Sequence, residues 1–355
     1  MTAEMPPNTN IQQVALCMET STCANAGNNK QVPLVHRRNN HEENKPVGKR
    51  NDLSLDSSFF VACDLTHRAL RGGLKSVSDL SITQFRALVK LVAVAPDGIA
   101  QAELANLLSI KANVASQAID SLEEQRFAER RKHVAEDRRV RIVYITKTGT
   151  ELIDRANKAI VDELYALFPT QNRAYRSILE ASIAAGANID PPLSKTAAKR
   201  YFASRTLVSL ELIRKTMEDA LREACGASFN ECLVLMKLGE ESDPLRIGDL
   251  ARQLQLTPVT VARSTDRLAK RSWAQRLASP TDRKAVFVSA TDRGADMQRL
   301  IAYTVDEVAE NFLWSRLDET QSRALAEAGH VVLADIQARE EAKRKAALGL
   351  LKPIG

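Results

Sequence analysis

The segment from Asp137 to Gly149, DRRVRIVYITKTG, returns as DRKAVFVSATDRG from Asp282 to Gly294. A chain carrying such a segment twice is built from two copies of one supersecondary unit. In each copy an Asp is followed by two basic residues. Ile142, Tyr144 and Thr146, or Val286, Val288 and Ala290, then come in near alternation, ahead of Thr, a polar pair and Gly. The alternation predicts a strand with one face buried. The cations ahead of it belong at a hairpin tip, and the Gly is expected to close the strand before an amphipathic helix opens.

The repeat extends well beyond this segment. Leu91 maps to Leu238 at a spacing of 147, Leu104 and Ala105 to Leu250 and Ala251 at 146, and Leu122 to Leu268 at 146. Asp137, Thr146 and Gly149 map to their partners at 145, and TQNRA at Thr170 recurs as TQSRA at Thr320, a spacing of 150. A register that holds through helices and slips only in connections marks a duplicated fold.

In chain order, residues 1 to 55 are rich in Asn, Thr, Pro and Lys without helical or strand period, which predicts a disordered leader. Its cations Arg37, Arg38, Lys45, Lys49 and Arg50 are offset by acids such as Glu42 and Glu43, so a solvated tail is the favoured reading. Apolar spacing from Ser57 predicts a helix ended by Gly72 and Gly73, and Ser81 caps a second helix through Val94, stopped at Pro96-Asp97-Gly98. A short helix over Ala102, Leu104, Ala105 and Leu108, a turn at Ser109 to Lys111, and an inward face of Val114, Ala115, Ala118, Ile119 and Leu122 spell a helix-turn-helix. Alone that signal is weak. Followed at once by a basic hairpin over Phe127 to Thr146, it has the order of a winged helix. Between Arg126 and Arg141, seven Arg or Lys stand against Glu129, Glu136 and Asp137, a local charge of +4.

Two further helices are expected, through Phe168 and over Thr170 to Ala185, then Gly186 to Pro192 as the clear linker. The second copy repeats the plan. It has a long helix from about Ser194 to Cys225, one from Ser228 to Leu238, a scaffold helix at Leu250 to Leu254, a reading helix from Thr257 to Lys270 and a hairpin over Trp273 to Thr291. A helix through Phe312 and a single terminal helix from about Asp318 to Lys345 complete it. The expected domains are 56–188 and 194–346, with a linker at 189–193 and a tail at 347–355. The fold class is mainly α with small β-hairpin wings (α+β), as tandem winged helix-turn-helix domains joined by a helical dimerisation layer.

These residues resemble the multiple-antibiotic-resistance regulator (MarR) family of bacterial winged-helix repressors, twice over, across residues 57 to about 345. The most specific features are the D-R-[RK] wing pattern and LTPVTVARSTDRL from Leu256 to Leu268. The resemblance implies reading helices that enter successive major grooves of double-stranded DNA, and helices at both chain ends that interlock as a dimer layer. It therefore implies a homodimer fused into one polypeptide, monomeric as a chain, and leaves open a small-molecule effector at the helical layer.

Carried over residue by residue, the family's wing-orienting Asp and minor-groove Arg fall on Asp137 and Arg139, and on Asp282 and Lys284. Lys284 departs from the pattern, with Arg283 as a substitute, because an ammonium is more strongly hydrated than a guanidinium and enters a narrow groove less readily. In the second reading helix Thr257 stands at the cap, Pro258 in the first turn, Thr260 and Arg263 toward bases and phosphates, and Arg267 behind. The first has Lys111, Ala112, Val114, Gln117 and Ser121 there, no good cap, and Glu123 and Glu124 near its end; Asn113, Ser116 and Gln117 are its base readers. Arg131, Lys132, Arg138, Arg141 and Arg276 complete the expected DNA contacts. Asp120 and Asp266, at equivalent places, are expected to form internal ion pairs with the wings.

Other function classes find little support. Five cysteines with no metal-like CxxC pairing argue against a disulfide scaffold or zinc site and for a reducing compartment. Cys63, Cys225 and Cys232 read as small core residues rather than redox sensors, and Cys63 does not align with the sensing cysteine of the family's peroxide-responsive branch. His67, His133 and His330 are scattered, and no cofactor is implied. No nucleophile elbow, P-loop or dinucleotide fingerprint is present, so the chain reads as a non-enzyme. No apolar run suits a membrane and no signal-peptide core is present, so a cytoplasmic, nucleoid-associated protein is expected. A net charge of +6 and a pI near 9.1 suit a polyanionic partner. The alternative is an architectural or protein-interaction module that keeps the fold but reads DNA weakly; the first copy's poor base-facing set keeps that alternative open.

Overall fold

The structure of the chain, a computed structural model, describes residues 53–132, 140–169, 171–278 and 285–349. The first copy runs α1 (Ser57–Lys75), α2 (Ile82–Val94), β1 (Ile99–Ala100), α3 (Gln101–Leu107), α4 (Ala112–Glu124), β2 (Ala128–Lys132), β3 (Arg141–Ile145), α5 (Lys147–Leu167) and α6 (Arg173–Ile189). The second runs α7 (Lys195–Arg200), α8 (Phe202–Cys225), α9 (Phe229–Glu240), β4 (Leu245–Arg246), α10 (Ile247–Gln253), α11 (Pro258–Lys270), β5 (Ala274–Ala278), β6 (Val286–Ala290) and α12 (Asp292–Phe312). A 3-10 turn (Trp314–Arg316), α13 (Glu319–Ala326) and α14 (Ala328–Gly349) end it.

The copies agree down to backbone detail. Their antiparallel sheets have the orders β1-β3-β2 and β4-β6-β5. Ser109 and Gln255 take φ of 52° and 51° at the turn between scaffold and reading helices; Arg126 and Ser272 take 61° and 59° before the hairpins. Ser81 and Ser228 each close a capping box, with Gln84 and Glu231.

The Thr-x-x-Gly element has a different physical basis from the expected strand stop. Thr146 and Thr291 are the N-caps of α5 and α12, each accepting from the backbone N–H of its Gly, and their hydroxyls donate to Arg126 O (2.7 Å) and Ser272 O (2.6 Å). Gly149 and Gly294 lie inside the helices. A Cβ there would come within 2.1 Å of Phe127 O and 1.9 Å of Trp273 O, so glycine lets the hairpin carbonyl reach the helix.

Several expectations need correction. Gly72 and Gly73 do not end α1, because Gly73 lies against the Ala159–Ile160 backbone, where a Cβ would be 2.9 Å from Ala159 O. Gly186 to Ile189 is helix rather than linker, since Gly186 lets α6 approach α8, where Ser209 Oγ donates to Gly186 O at 3.0 Å. The single helix expected from Ser194 breaks at Tyr201, whose buried ring sends its hydroxyl to Asp154 (3.0 Å). The terminal helix is likewise two, α13 and α14. In β3 the fully buried side chain is Val143, one residue out of phase with Ile142 and Tyr144, because β3 is the central strand and Val143 pairs with Ile99. Val288 is the buried residue of β6, as expected.

Helices from the two copies interlock. α1 packs on α5 and α8 on α12 within each copy; between copies α1 packs on α14, α6 on α8 and α6 on α13. Leu55, Phe59, Phe60 and Val61 before and in α1, with Ala181 and Ala185 of α6, sit in one core with Val261, Leu268 and Val288 of the second copy. Polar contacts pin this layer. Arg214 reaches Asp64 (2.6 Å), Tyr175 OH donates to Asp335 (2.8 Å), Ser57 N–H and Oγ donate to Glu240, and His67 pairs with Glu211, which also meets Arg71 at 3.3 Å. The connection after α6 is strapped to α2 by a buried Lys90–Asp190 pair at 2.6 Å, and Arg205 donates to Asp190 O at 2.9 Å.

Candidate nucleic-acid interface

Each reading helix turns its apolar stripe inward and leaves its first turn and outer face in solvent. In α11, Val261 and Leu268 are buried, while Thr257, Arg263 and Arg267 are exposed and Thr260 is half-buried. Thr257 caps the helix by accepting from the Thr260 N–H (3.1 Å), and the two hydroxyls lie 2.8 Å apart, so Thr260 is already engaged at the cap. Arg267 leans back to the buried Glu231 at 3.4 Å. Arg263 points outward from the middle of the exposed face.

α4 presents a poorer version of this face. Lys111 occupies the N-cap and makes no side-chain cap bond. Lys111, Asn113 and Gln117 are exposed and Ser116 is half-buried. Val114, expected inward, is 38% exposed; it shares the outward position of Thr260, while Ala115, Ala118, Ile119 and Leu122 fill the core. Val259 at the start of α11 is 59% exposed, a feature the sequence pattern did not single out. Exposed valines on both reading helices are suited to thymine methyl groups.

The wings are latched to the reading helices through the two equivalent aspartates. Arg130 in β2 meets Asp120 at 2.6 Å, pairs with Glu123, and donates to Gln101 Oε1 (2.9 Å) and Ser116 O (3.1 Å). Arg276 in β5 meets Asp266 at 3.0 Å. Arg276, expected to touch DNA, is thus also the wing's tether. Glu123, read as a mark against α4, holds the wing: besides the guanidinium it accepts the Arg130 backbone N–H at 2.6 Å. Only the charge count pointed to Arg130. Its role depends on β2 lying beside α4, which spacing alone does not show.

Further out, Arg131 pairs with Glu129 and lays its guanidinium 4.8 Å from the Tyr144 ring centre. Arg141 begins β3 exposed, opposite Lys132. Asp137, Arg138, Arg139, Asp282, Arg283 and Lys284 lie outside the described residues.

Two heads, each a helix-turn-helix with a three-stranded wing sheet, define a tandem winged-helix protein of the DNA-binding transcription regulator class. MarR family models match residues 78–140 and 228–286. The uncharacterized HTH-type transcriptional regulator YhbI of Bacillus subtilis (strain 168) is 31% identical over 112 residues, 32% of this chain and 71% of that protein. The chain belongs to the MarR family, with the family's unit present twice in tandem. Similar solved structures include Sco3205 of Streptomyces coelicolor, a MarR family transcriptional regulator in complex with DNA (24% identity, 36% of this chain and 82% of that one, TM-score 0.33). Another is AbsC of the same organism (19%, 36% and 86%, TM-score 0.32).

Among the described residues no helix is long and apolar enough to cross a membrane, and no cluster of metal-ligating side chains occurs. The helical layer holds a small apolar cavity of about 60 Å³, lined by Phe59, Cys63, Leu164, Phe168, Leu313 and Val332 among others, from both copies.

Proposed function

We propose that this chain is a fused pseudo-dimer: a sequence-specific, double-stranded-DNA-binding transcription regulator, acting as a repressor in the cytoplasm on the nucleoid, that reads an asymmetric operator. The proposed domains span residues 56–188 and 194–346, with Leu55 packed into the shared core and the junction following α6, which ends at Ile189. Reciprocal packing supports the pairing within one chain. The first long helix of each copy meets the last helices of the other, α1 with α14 and α8 with α6, as an isologous two-fold interface would arrange them.

The observation that carries the asymmetric operator is the contrast between α11 and α4. α11 has a bonded Thr257 cap, Pro258 in its first turn and an exposed Arg263; α4 has an unbonded Lys111 cap, Ala112 and Gln117 at those places. A homodimer reads two like half-sites because its reading residues are identical by symmetry. Here they differ, so the second copy supplies most base discrimination. The first copy anchors through Arg138, Arg139 and Arg141 and prefers a narrow A/T-rich minor groove. The interfacial cavity is the place for an apolar effector whose binding would wedge the helices and release DNA.

Selection of bound duplexes from a random library tests this reading. The expected site lacks inverted-repeat symmetry. Arg263→Ala should cost ~1–3 kcal/mol and relax one half-site only, while Arg139→Ala weakens binding across sequences, most at A/T-rich flanks. A palindromic site, or equal effects of Gln117→Ala and Arg263→Ala on both halves, would refute it.

A further inference from the structure

The junction of α8 and α9 holds two thiols in contact. Cys225 is the last residue of α8, Gly226 turns the chain at φ 65°, and Cys232 lies in the second turn of α9; the sulfurs are 3.7 Å apart. Cys232 is 1% exposed, whereas Cys225 is reachable from solvent. The sequence reading of all three helical cysteines as core filler therefore fits Cys63, whose thiol is pushed up to about 12 by burial, but not this pair.

The same junction is tied to the reading helix. Arg271, at the C-cap of α11, donates to Cys225 O (3.2 Å) and Gly226 O (2.7 Å), and its guanidinium stacks 4.9 Å from the Trp273 ring centre at the root of the wing. Glu231, adjacent to Cys232, receives Arg267 from the exposed side of α11. In the first copy, with the capping serines Ser81 and Ser228 aligned, the equivalent positions are Ser78 and Phe85, so only the copy with the stronger reading helix carries thiols here.

We infer that Cys225 and Cys232 form a reversible disulfide site, oxidised by exchange with small-molecule disulfides, whose closure weakens DNA reading by the second copy. The Cys225 thiolate attacks one sulfur of a disulfide RSSR, forming a mixed disulfide and expelling RS⁻. Cys232 then gives up its proton as its sulfur attacks Cys225 Sγ, expelling the second thiolate, so that two RSH form for each protein disulfide. The division of roles follows the surroundings. The Cys232 S–H donates to Cys225, and the Ala227 backbone and the Arg271 charge add to this, holding the Cys225 thiol down to about 6 against the opposing effect of burial; the Cys232 thiol is pushed up. Bond formation requires the sulfurs to close to ~2.05 Å. That contraction acts on the carbonyls that hold Arg271, and so on the seat of α11. The effect on DNA rests on the function proposed above; the disulfide itself does not.

Both cysteines fall in one tryptic peptide, Glu223 to Lys237, so oxidation is read directly. The reduced full chain is equilibrated with mixtures of oxidised and reduced glutathione, alkylated and analysed by peptide mass. The expected result is that peptide short of two hydrogens and unalkylated, with affinity for the selected duplex falling about tenfold and returning with dithiothreitol. Cys232→Ser should trap glutathione on Cys225. Two thiols surviving in that peptide, or glutathione stopping on Cys225 of the unaltered chain, would overturn the site. An equal affinity loss in a Cys225→Ser, Cys232→Ser double variant would overturn the coupling to DNA. If the reduced chain binds no duplex, the proposed function fails while the mass measurement still decides the disulfide.

Discussion

Gly149 and Gly294 show how one residue type can serve several physical ends in one chain. Their Cβ positions are occupied by the Phe127 and Trp273 carbonyls, whereas at Gly72, also inside a helix, a Cβ would meet nothing within 4 Å beyond its own helical backbone. Gly294→Ala should therefore destabilise the fold by about 3 kcal/mol, from overpacking against backbone that cannot move alone. Gly72→Ala should be neutral or stabilise by about 0.5–1 kcal/mol, by lowering the entropy of the unfolded chain. Denaturant unfolding of the two variants measures both; equal midpoints would mean that the hairpin carbonyl does not hold Gly294. Thr-x-x-Gly is visible in the sequence, but its purpose is not, because the clashing carbonyl belongs to a residue some twenty positions earlier.

Among elements, the contact of α1 with α8 joins the copies through titratable groups. Glu211 lies between His67 and Arg71, with Arg214 close by. The hydrogen bond from His67 holds its carboxyl below the usual carboxylate range, and the nearby cations act in the same direction, against burial. A carboxyl whose pKa is depressed on folding contributes stability that is present above its unfolded value and lost as pH falls through the folded one. Thermal melts from neutral pH down through the carboxylate range should therefore fall more steeply for the natural chain than for Glu211→Gln. Parallel curves would show that this contact contributes nothing. The pairing was not legible in the sequence, where His67 is an isolated histidine and its partner lies 144 positions away.

At the scale of the molecule, pairing within one chain predicts light scattering at the chain mass of 39.1 kDa. Twice that mass would mean that copies pair between chains and present four heads. It also predicts that both wings contribute to one salt dependence. With about six cations on phosphates, affinity should fall ~10³-fold between about 50 and about 200 mM salt. A flat response measured by fluorescence anisotropy would exclude phosphate contacts as the main anchor.

Sequence alone determined the duplication, the order of the main helices and hairpins, the helix-turn-helix cores and the two reading helices, because these depend on local periodicity, caps and a register that recurs near 146 positions. It also placed Asp120 and Asp266 as partners for the wings, since equivalent acids on exposed helix faces beside basic strands have few other uses. Only the tertiary structure decided the rest. Val143 rather than its neighbours faces the core because β1 pairs there, Gly73 and Gly186 sit where helices cross, Arg130 and Glu123 are latches, and Cys225 touches Cys232. Each depends on which segments meet in space, and local pattern carries the period of an element but not the identity of its neighbour.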